Sequence, residues 1–196
     1  MTPSVSSHPA RDVAVPVASP DLVVKDPTLV ALRHVCRHMR PEDQREVYAL
    51  TESADWEQLA SFHWQLHQAG HCPYFKIFSS DEGTAPVALM VVTNQSPGVC
   101  GAGFFATERF GEIAHAMTRF IKDSAIPLLR SLGLMRVEVR AMASAPANCR
   151  WIEYLGATFE ADLPLLGKNG ESFKQFAWYG DVPATNNGVR CDVYAA

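Results

Sequence analysis

Along the chain the apolar residues change period several times, and each change marks an expected element. A first strand is expected through residues 34–40, His34-Val35-Cys36-Arg37-His38-Met39-Arg40. Pro41-Glu42-Asp43 then opens a helix that should end near Thr51, with proline at its first position and acids against the positive end of the dipole. Ser53 suits the cap of a second helix, on which Trp56, Leu59, Phe62, Leu66 and Ala69 recur at helical spacing until Gly70. Residues 74–79 and 87–92 read as strands of a hairpin around Ser80-Asp81-Glu82-Gly83-Thr84. A short apolar strand at 99–107 leads into a long helix, about 112–132. Its stripe is Ile113, Met117, Phe120, Ser124 and Leu128, Pro127 should kink it, and Gly133 stops it. Residues 135–142 set Val137 and Val139 against Arg136, Glu138 and Arg140, a strand with one polar face. A helix near 147–155 and strands at 157–162 and 173–179 complete the series.

The ends lack such periods. Residues 1–28 hold Pro3, Pro9, Pro16, Pro20 and Pro27 and are expected to form a flexible arm, with 181–196 a matching tail around one domain at 29–180. A chain of 196 residues, 47% apolar, is long enough to close one core. The longest purely apolar stretch, residues 85–92, is far short of the roughly 18–20 residues needed to span a membrane. Without a basic-then-apolar leader, the expected location is cytoplasmic. A net charge of −4, with 17 basic and 21 acidic residues, gives no strong nucleic-acid signal. Cys36, Cys72, Cys100, Cys149 and Cys191 are widely spaced, as reduced and mostly buried thiols would be.

The element order resembles the GNAT acyltransferase fold, and three stretches carry the likeness: Met39-Arg40-Pro41-Glu42-Asp43, Gly133-Leu134-Met135-Arg136-Val137-Glu138, and Trp151-Ile152-Glu153-Tyr154-Leu155-Gly156-Ala157-Thr158-Phe159. More narrowly, Gly103-Phe104-Phe105-Ala106-Thr107 and residues 150–159 resemble the short acetyltransferase-like proteins of podophages, some of them internal virion proteins. The resemblance implies an α/β (α+β) fold with a central mixed sheet of about seven strands and helices on both faces. It implies acetyl-CoA as co-substrate, an amine as acceptor, and a cofactor cleft where the fourth and fifth strands splay apart. The cofactor-binding residues it implies are Phe105, Ala106, Thr107, Phe110, Gly111, Glu112 and Asn148, with pyrophosphate on the amides of 110–112. The phosphate loop has one glycine, and Glu108 and Glu112 bring negative charge to it.

Two roles stand open for several of these residues. Gly111 permits close approach of a phosphate or simply precedes a helix, and Asn148 contacts the pantetheine or caps a helix. Glu138 is the candidate base, acting through a water, or belongs to a solvated strand face. The family's tyrosine acid would fall at Ile152, and Tyr154 lies on another side of the helix. His63, His67 and His71 have metal-ligand spacing but no completing carboxylate, so surface histidines are expected and no metal. Arg33, His34, Arg37, His38 and Arg40 suit either a CoA phosphate or a charged strand edge. The alternative to catalysis is a GNAT-like virion or assembly component that binds a protein partner through its arm, placed in the host cytoplasm or the virion.

Overall fold

The computed structural model describes residues 22–180, and the expected tail at 181–196 lies outside them. The chain runs β1 (Val23–Lys25), α1 (Leu29–Arg37), α2 (Pro41–Ala49), α3 (Trp56–Gln68), β2 (Tyr74–Ser79), β3 (Ala88–Ser96) and β4 (Val99–Ala106). A 3-10 turn (Glu108–Glu112) leads to α4 (Ala114–Phe120), a π-helical segment (Ile121–Ala125), α5 (Ile126–Ser131), β5 (Arg136–Met142), α6 (Pro146–Tyr154), β6 (Thr158–Leu163) and β7 (Phe173–Tyr179). The seven strands form one mixed sheet in the order β1-β2-β3-β4-β5-β7-β6, as the expected architecture requires.

β3 shows how helices come to cover both faces. Ala88, Met90 and Val92 point to one side, where Ile113, Met117, Phe120 and Leu129 of the α4–α5 unit pack. Leu89 and Val91 point to the other, against Leu32 and Val35 of α1 and Leu59 of α3. A strand buried on both faces reads as an unbroken apolar run, which is how residues 87–92 look in the sequence.

Four expectations are corrected. Residues 34–40 are not a strand: Leu32, Val35 and Cys36 form the buried stripe of α1, and Thr28 caps it by accepting the Ala31 N–H at 3.1 Å. The sheet begins earlier than expected, inside the proposed arm. Val23–Lys25 pair antiparallel with β2, and Leu22 is 1% exposed, so residues 22–28 pack with the domain. The cap of α3 is Asp55, whose Oδ1 accepts from Glu57 and Gln58, and the buried face holds Leu59 and Ala60 while Phe62 is 55% exposed. In the long helix the stripe follows Ile113, Met117 and Phe120 as expected, then moves from Ser124 and Leu128 to Ala125 and Leu129.

That shift comes from the π segment. The Ile126 N–H donates to the Ile121 carbonyl, an i to i−5 bond, so one extra residue enters the turn and every later position moves by one. Pro127 sits just beyond it. Its ring would collide with a carbonyl four residues back in a regular helix, and the wider turn relieves that collision.

Candidate active site

Among the described residues β4 and β5 are the one parallel pair of the sheet. They pair only at Val99 with Arg136, Cys100 with Val137 and Gly101 with Glu138. Beyond this point the strands diverge while β4 stays paired with β3, and β5 with β7, to their ends. The sheet therefore opens into a V, as the sequence reading anticipates. A cavity of about 250 Å³ occupies the gap.

Helix α2 closes the wide end of the V. Asp43 Oδ2 accepts the Ala106 N–H from the end of β4 at 2.8 Å, and Glu46 Oε2 accepts the Met142 N–H from the end of β5 at 2.9 Å. The Ala106 carbonyl accepts the Arg40 N–H at 2.9 Å, so both main-chain groups of Ala106 point into the gap. A strand's main chain alternates sides, and Thr107 donates the other way, to the Val87 carbonyl. Phe104 therefore presents its N–H and C=O to the same gap as Ala106.

The two sides of the cavity differ in character. One side is lined by Met90, Phe104, Ile121, Trp151, Leu155 and Trp178, and is almost wholly apolar. Phe104, Phe110 and Trp151 stack edge to face there, with centroids 5.3–6.0 Å apart, and the Trp151 indole N–H donates to Thr118 Oγ1 at 3.0 Å. The opposite side carries Arg40, Asp43, Glu46, Glu138 and Arg140. Arg40 reaches Asp43 Oδ1 at 2.9 Å and covers the Phe110 ring at 4.7 Å. Burial pushes the Asp43 carboxyl above its ordinary range, against the pull of Arg40 and of the Ala106 amide. Gly101 and Gly103 face this polar side and keep β4 thin, since a Cβ on Gly101 would press on the Gln95 side chain.

Of the cofactor-binding and catalytic residues expected from sequence, Phe105, Glu138 and Asn148 line the cavity. Glu138 does not lie on an open solvated face. Its Oε1 accepts from Arg136 Nε at 2.6 Å, and the same guanidinium is held by Glu160, itself bonded to the Tyr179 hydroxyl. Asn148 does not cap α6, because Ala145 holds that position; it lines the cavity together with Glu46. Phe105 turns its ring away from the apolar side and packs against His63 at 5.2 Å. Ala106 and Thr107 are buried at the strand end, and Ala106 is sealed by Arg40 and Asp43.

The phosphate loop differs most from expectation. The Phe110 amide is already bonded to the Thr107 carbonyl at 3.0 Å, and Phe110, Gly111 and Glu112 lie outside the cavity lining. Glu112 is not a free charge facing an incoming anion: Arg109 binds it through two N–H groups at 2.8 and 2.7 Å. Gly111 is open, with nothing within 4 Å of a Cβ placed there.

The histidines and cysteines also become readable. His63 and His67 turn inward against Phe105 and Phe75 instead of lying on the surface. Among the described residues no group of three or more His, Cys, Asp and Glu could hold a metal. Burial pushes the Cys36 thiol up to about 12 and raises Cys100 and Cys149 as well, which removes the thiolate a cysteine nucleophile needs. Tyr154 is 64% exposed beneath Lys122, and Ile152 is buried. Arg33, His34 and Arg37 lie on helix α1, so the charged-edge-strand reading does not apply to them.

Asp43 and Glu46 escaped the sequence reading. There they are acids near the start of a helix, and nothing local reveals that two strand ends three-dimensionally adjacent to α2 lack partners. Their separation by three residues puts both on one face of α2, which is the trace they leave in the sequence.

Comparison with solved structures settles the architecture. A GNAT-superfamily phosphinothricin acetyltransferase from Sinorhizobium meliloti, solved with acetyl-CoA, superposes with a TM-score of 0.67 over 86% of this chain and 94% of its own, at 13% identity. The chain has the GNAT fold. The GNAT architecture is shared with the ribosomal-protein-S18-alanine N-acetyltransferase of Escherichia coli, at TM-score 0.61 and 11% identity over 86% of this chain and 99% of that one. An N-acetyltransferase from Staphylococcus aureus Mu50 matches at TM-score 0.61 and 11% identity, over 81% and 98%. No protein-family model matches the sequence, and no curated protein matches it either.

Proposed function

We propose that this chain is an N-acyltransferase that moves an acetyl group from acetyl-CoA to an amine. The observation that carries the reading is the V between β4 and β5, a two-sided cavity passing through the sheet. Its apolar side, with Phe104, Trp151 and Trp178, suits the pantetheine arm, which is a thin chain of amides and methylenes. Its polar side suits an amine. Between them the edge of β4 at Phe104 offers a main-chain N–H and C=O that no neighbouring strand uses, the kind of fixed dipole that orients and polarises a carbonyl. Acetyl-CoA would supply an activated acyl group; the chain supplies position and a mostly apolar lining. The solved structures with this fold include a phosphinothricin acetyltransferase and a ribosomal-protein-S18-alanine N-acetyltransferase, and an amine acceptor fits both descriptions.

Calorimetric titration with acetyl-CoA tests this directly. Wild-type protein is expected to bind one equivalent. Ala102 lies on β4 in the cavity lining; Ala102→Trp, which fills the apolar side, should weaken binding at least tenfold while its melting temperature stays within a few degrees. Absence of binding by the wild type would remove the acyltransferase reading and favour an assembly role.

A further inference from the structure

Three carboxylates face the polar side of the cavity, and their partners differ. Asp43 is 5% exposed, ion-paired to Arg40 and bonded to the Ala106 amide, so its charge is matched and its position fixed. Glu138 is held by Arg136 at 2.6 Å. Glu46 is different: it accepts a hydrogen bond from a neutral donor, the Met142 amide at 2.9 Å, and the neutral Asn148 side chain lines the cavity with it. It is half-buried rather than sealed, and it lines the cavity at the wide end of the V.

Resting on the acetyl-transfer reading above, we propose that Glu46 is the general base that takes the proton from the acceptor amine. An amine nitrogen can attack only with its lone pair free, and it becomes cationic as it bonds to the thioester carbon. Its N–H proton then passes to Glu46, the carbon–sulfur bond breaks, and CoA leaves as a thiolate. The proton returns from Glu46 through water to that thiolate, so the products are an amide and a thiol. Neutral partners matter here. A carboxylate locked to arginine is a weak base, whereas one held by amides keeps its direction and gains basicity from burial.

The electrostatics agree with this placement. Burial raises the Glu46 carboxyl above the ordinary glutamate range, opposed by the Met142 amide, Asn148 and Arg40, with Asp43 adding to the rise. Cys149 on α6, and Glu138 and Arg140 along β5, are the other titratable or charged groups around the same opening. Because the pKa is raised, Glu46 is ionised only above it. Activity should fall as pH drops through a midpoint higher than that of a free glutamate.

Glu46→Gln is the informative change, since the amide oxygen can still accept from Met142 and preserve the strand end. Acetyl-CoA affinity should stay within threefold of wild type by calorimetry. Release of CoA thiol, measured with spermidine, with a peptide bearing an amino-terminal alanine and with water as acceptors, should lose about 10²–10⁴-fold in kcat with little change in the KM for acetyl-CoA. The low-pH limb of kcat/KM should vanish in the variant. In the wild type that limb should share its midpoint with the Glu46 carboxyl titration followed by NMR. A variant that keeps the wild-type rate and limb overturns the role of Glu46 while leaving acetyl transfer standing. A wild type that binds acetyl-CoA but releases thiol to none of these acceptors also overturns it. Failure of the wild type to bind acetyl-CoA instead removes the acyltransferase reading, and this inference falls with it.

Discussion

His63 illustrates how one residue's surroundings become a property of the whole protein. Its ring lies against Phe62 and Phe105, its Nδ1 is buried without a partner, and burial lowers its pKa to about 4 from 6.5. Between those values the unfolded chain binds a proton that the folded chain refuses, so stability is complete above about pH 6.5 and declines as pH falls towards 4. The deficit at pH 5 is roughly 2 kcal/mol, or about 4–8 °C in melting temperature. His63→Leu should abolish that part of the decline, so the melting curves of wild type and variant should diverge between pH 7.5 and 5 by this amount. Parallel curves would mean that the ring takes up its proton in the folded state. At this scale the sequence is least legible. His63 stands one turn after Leu59 on α3, and only the position of β4, which brings Phe105 against its ring, shows that it faces inward. Glu138 was visible as a charge on an alternating strand, but its grip by Arg136 and the emptier surroundings of Glu46 depend on contacts between elements far apart in the chain.

Elements are read more easily, and the failures have identifiable causes. β2, β4, β5 and β7 appear near their expected places because short apolar runs bounded by turn residues, and in β5 apolar–polar alternation, are strong signals. β1 has three residues, too few to show any period, and its neighbouring prolines mimic a linker. α1 lies where a strand is expected because its helical stripe, Leu32, Val35 and Cys36, is cut by a window that begins at His34. In the long helix, no propensity announces an extra residue. The π segment predicts its own reversal, because removing one residue would restore a regular helix and hold Ala125 and Leu129 on the stripe begun by Ile113 and Phe120 at regular helical spacing. Deleting the exposed Asp123 together with Pro127→Ala should leave the melting temperature within a few degrees of wild type. Deleting Asp123 alone should cost about 3 kcal/mol more, because Pro127 then meets a regular turn. Equal melting temperatures for the two variants would show that the proline does not govern the wide turn.

For the whole molecule, the parallel β4–β5 pair was legible from the helix lying between two apolar strands, since a crossover of that length favours parallel neighbours. The amino-terminal edge was not. Leu22 is buried, Val23–Lys25 join β2, and Lys76 reaches Asp26 at 2.5 Å, so a protein starting at Pro27 should lose about 2–4 kcal/mol, chiefly through Leu22. Thermal denaturation of that truncated protein checks it, and an unchanged melting temperature would mean that the sheet is complete from β2 onward. The hold of α2 on both strand ends has a separate consequence. Asp43 and Glu46 are one helical turn apart, and each fastens a different jaw of the V. The helix thus works as a caliper: the gauge of the opening is copied from the pitch of α2 and does not depend on what enters. To widen it, a ligand would have to draw two charged groups off main-chain amides together, each worth about 1.5–3 kcal/mol. The slot is preset, and its guest, not the protein, must be of the right thickness.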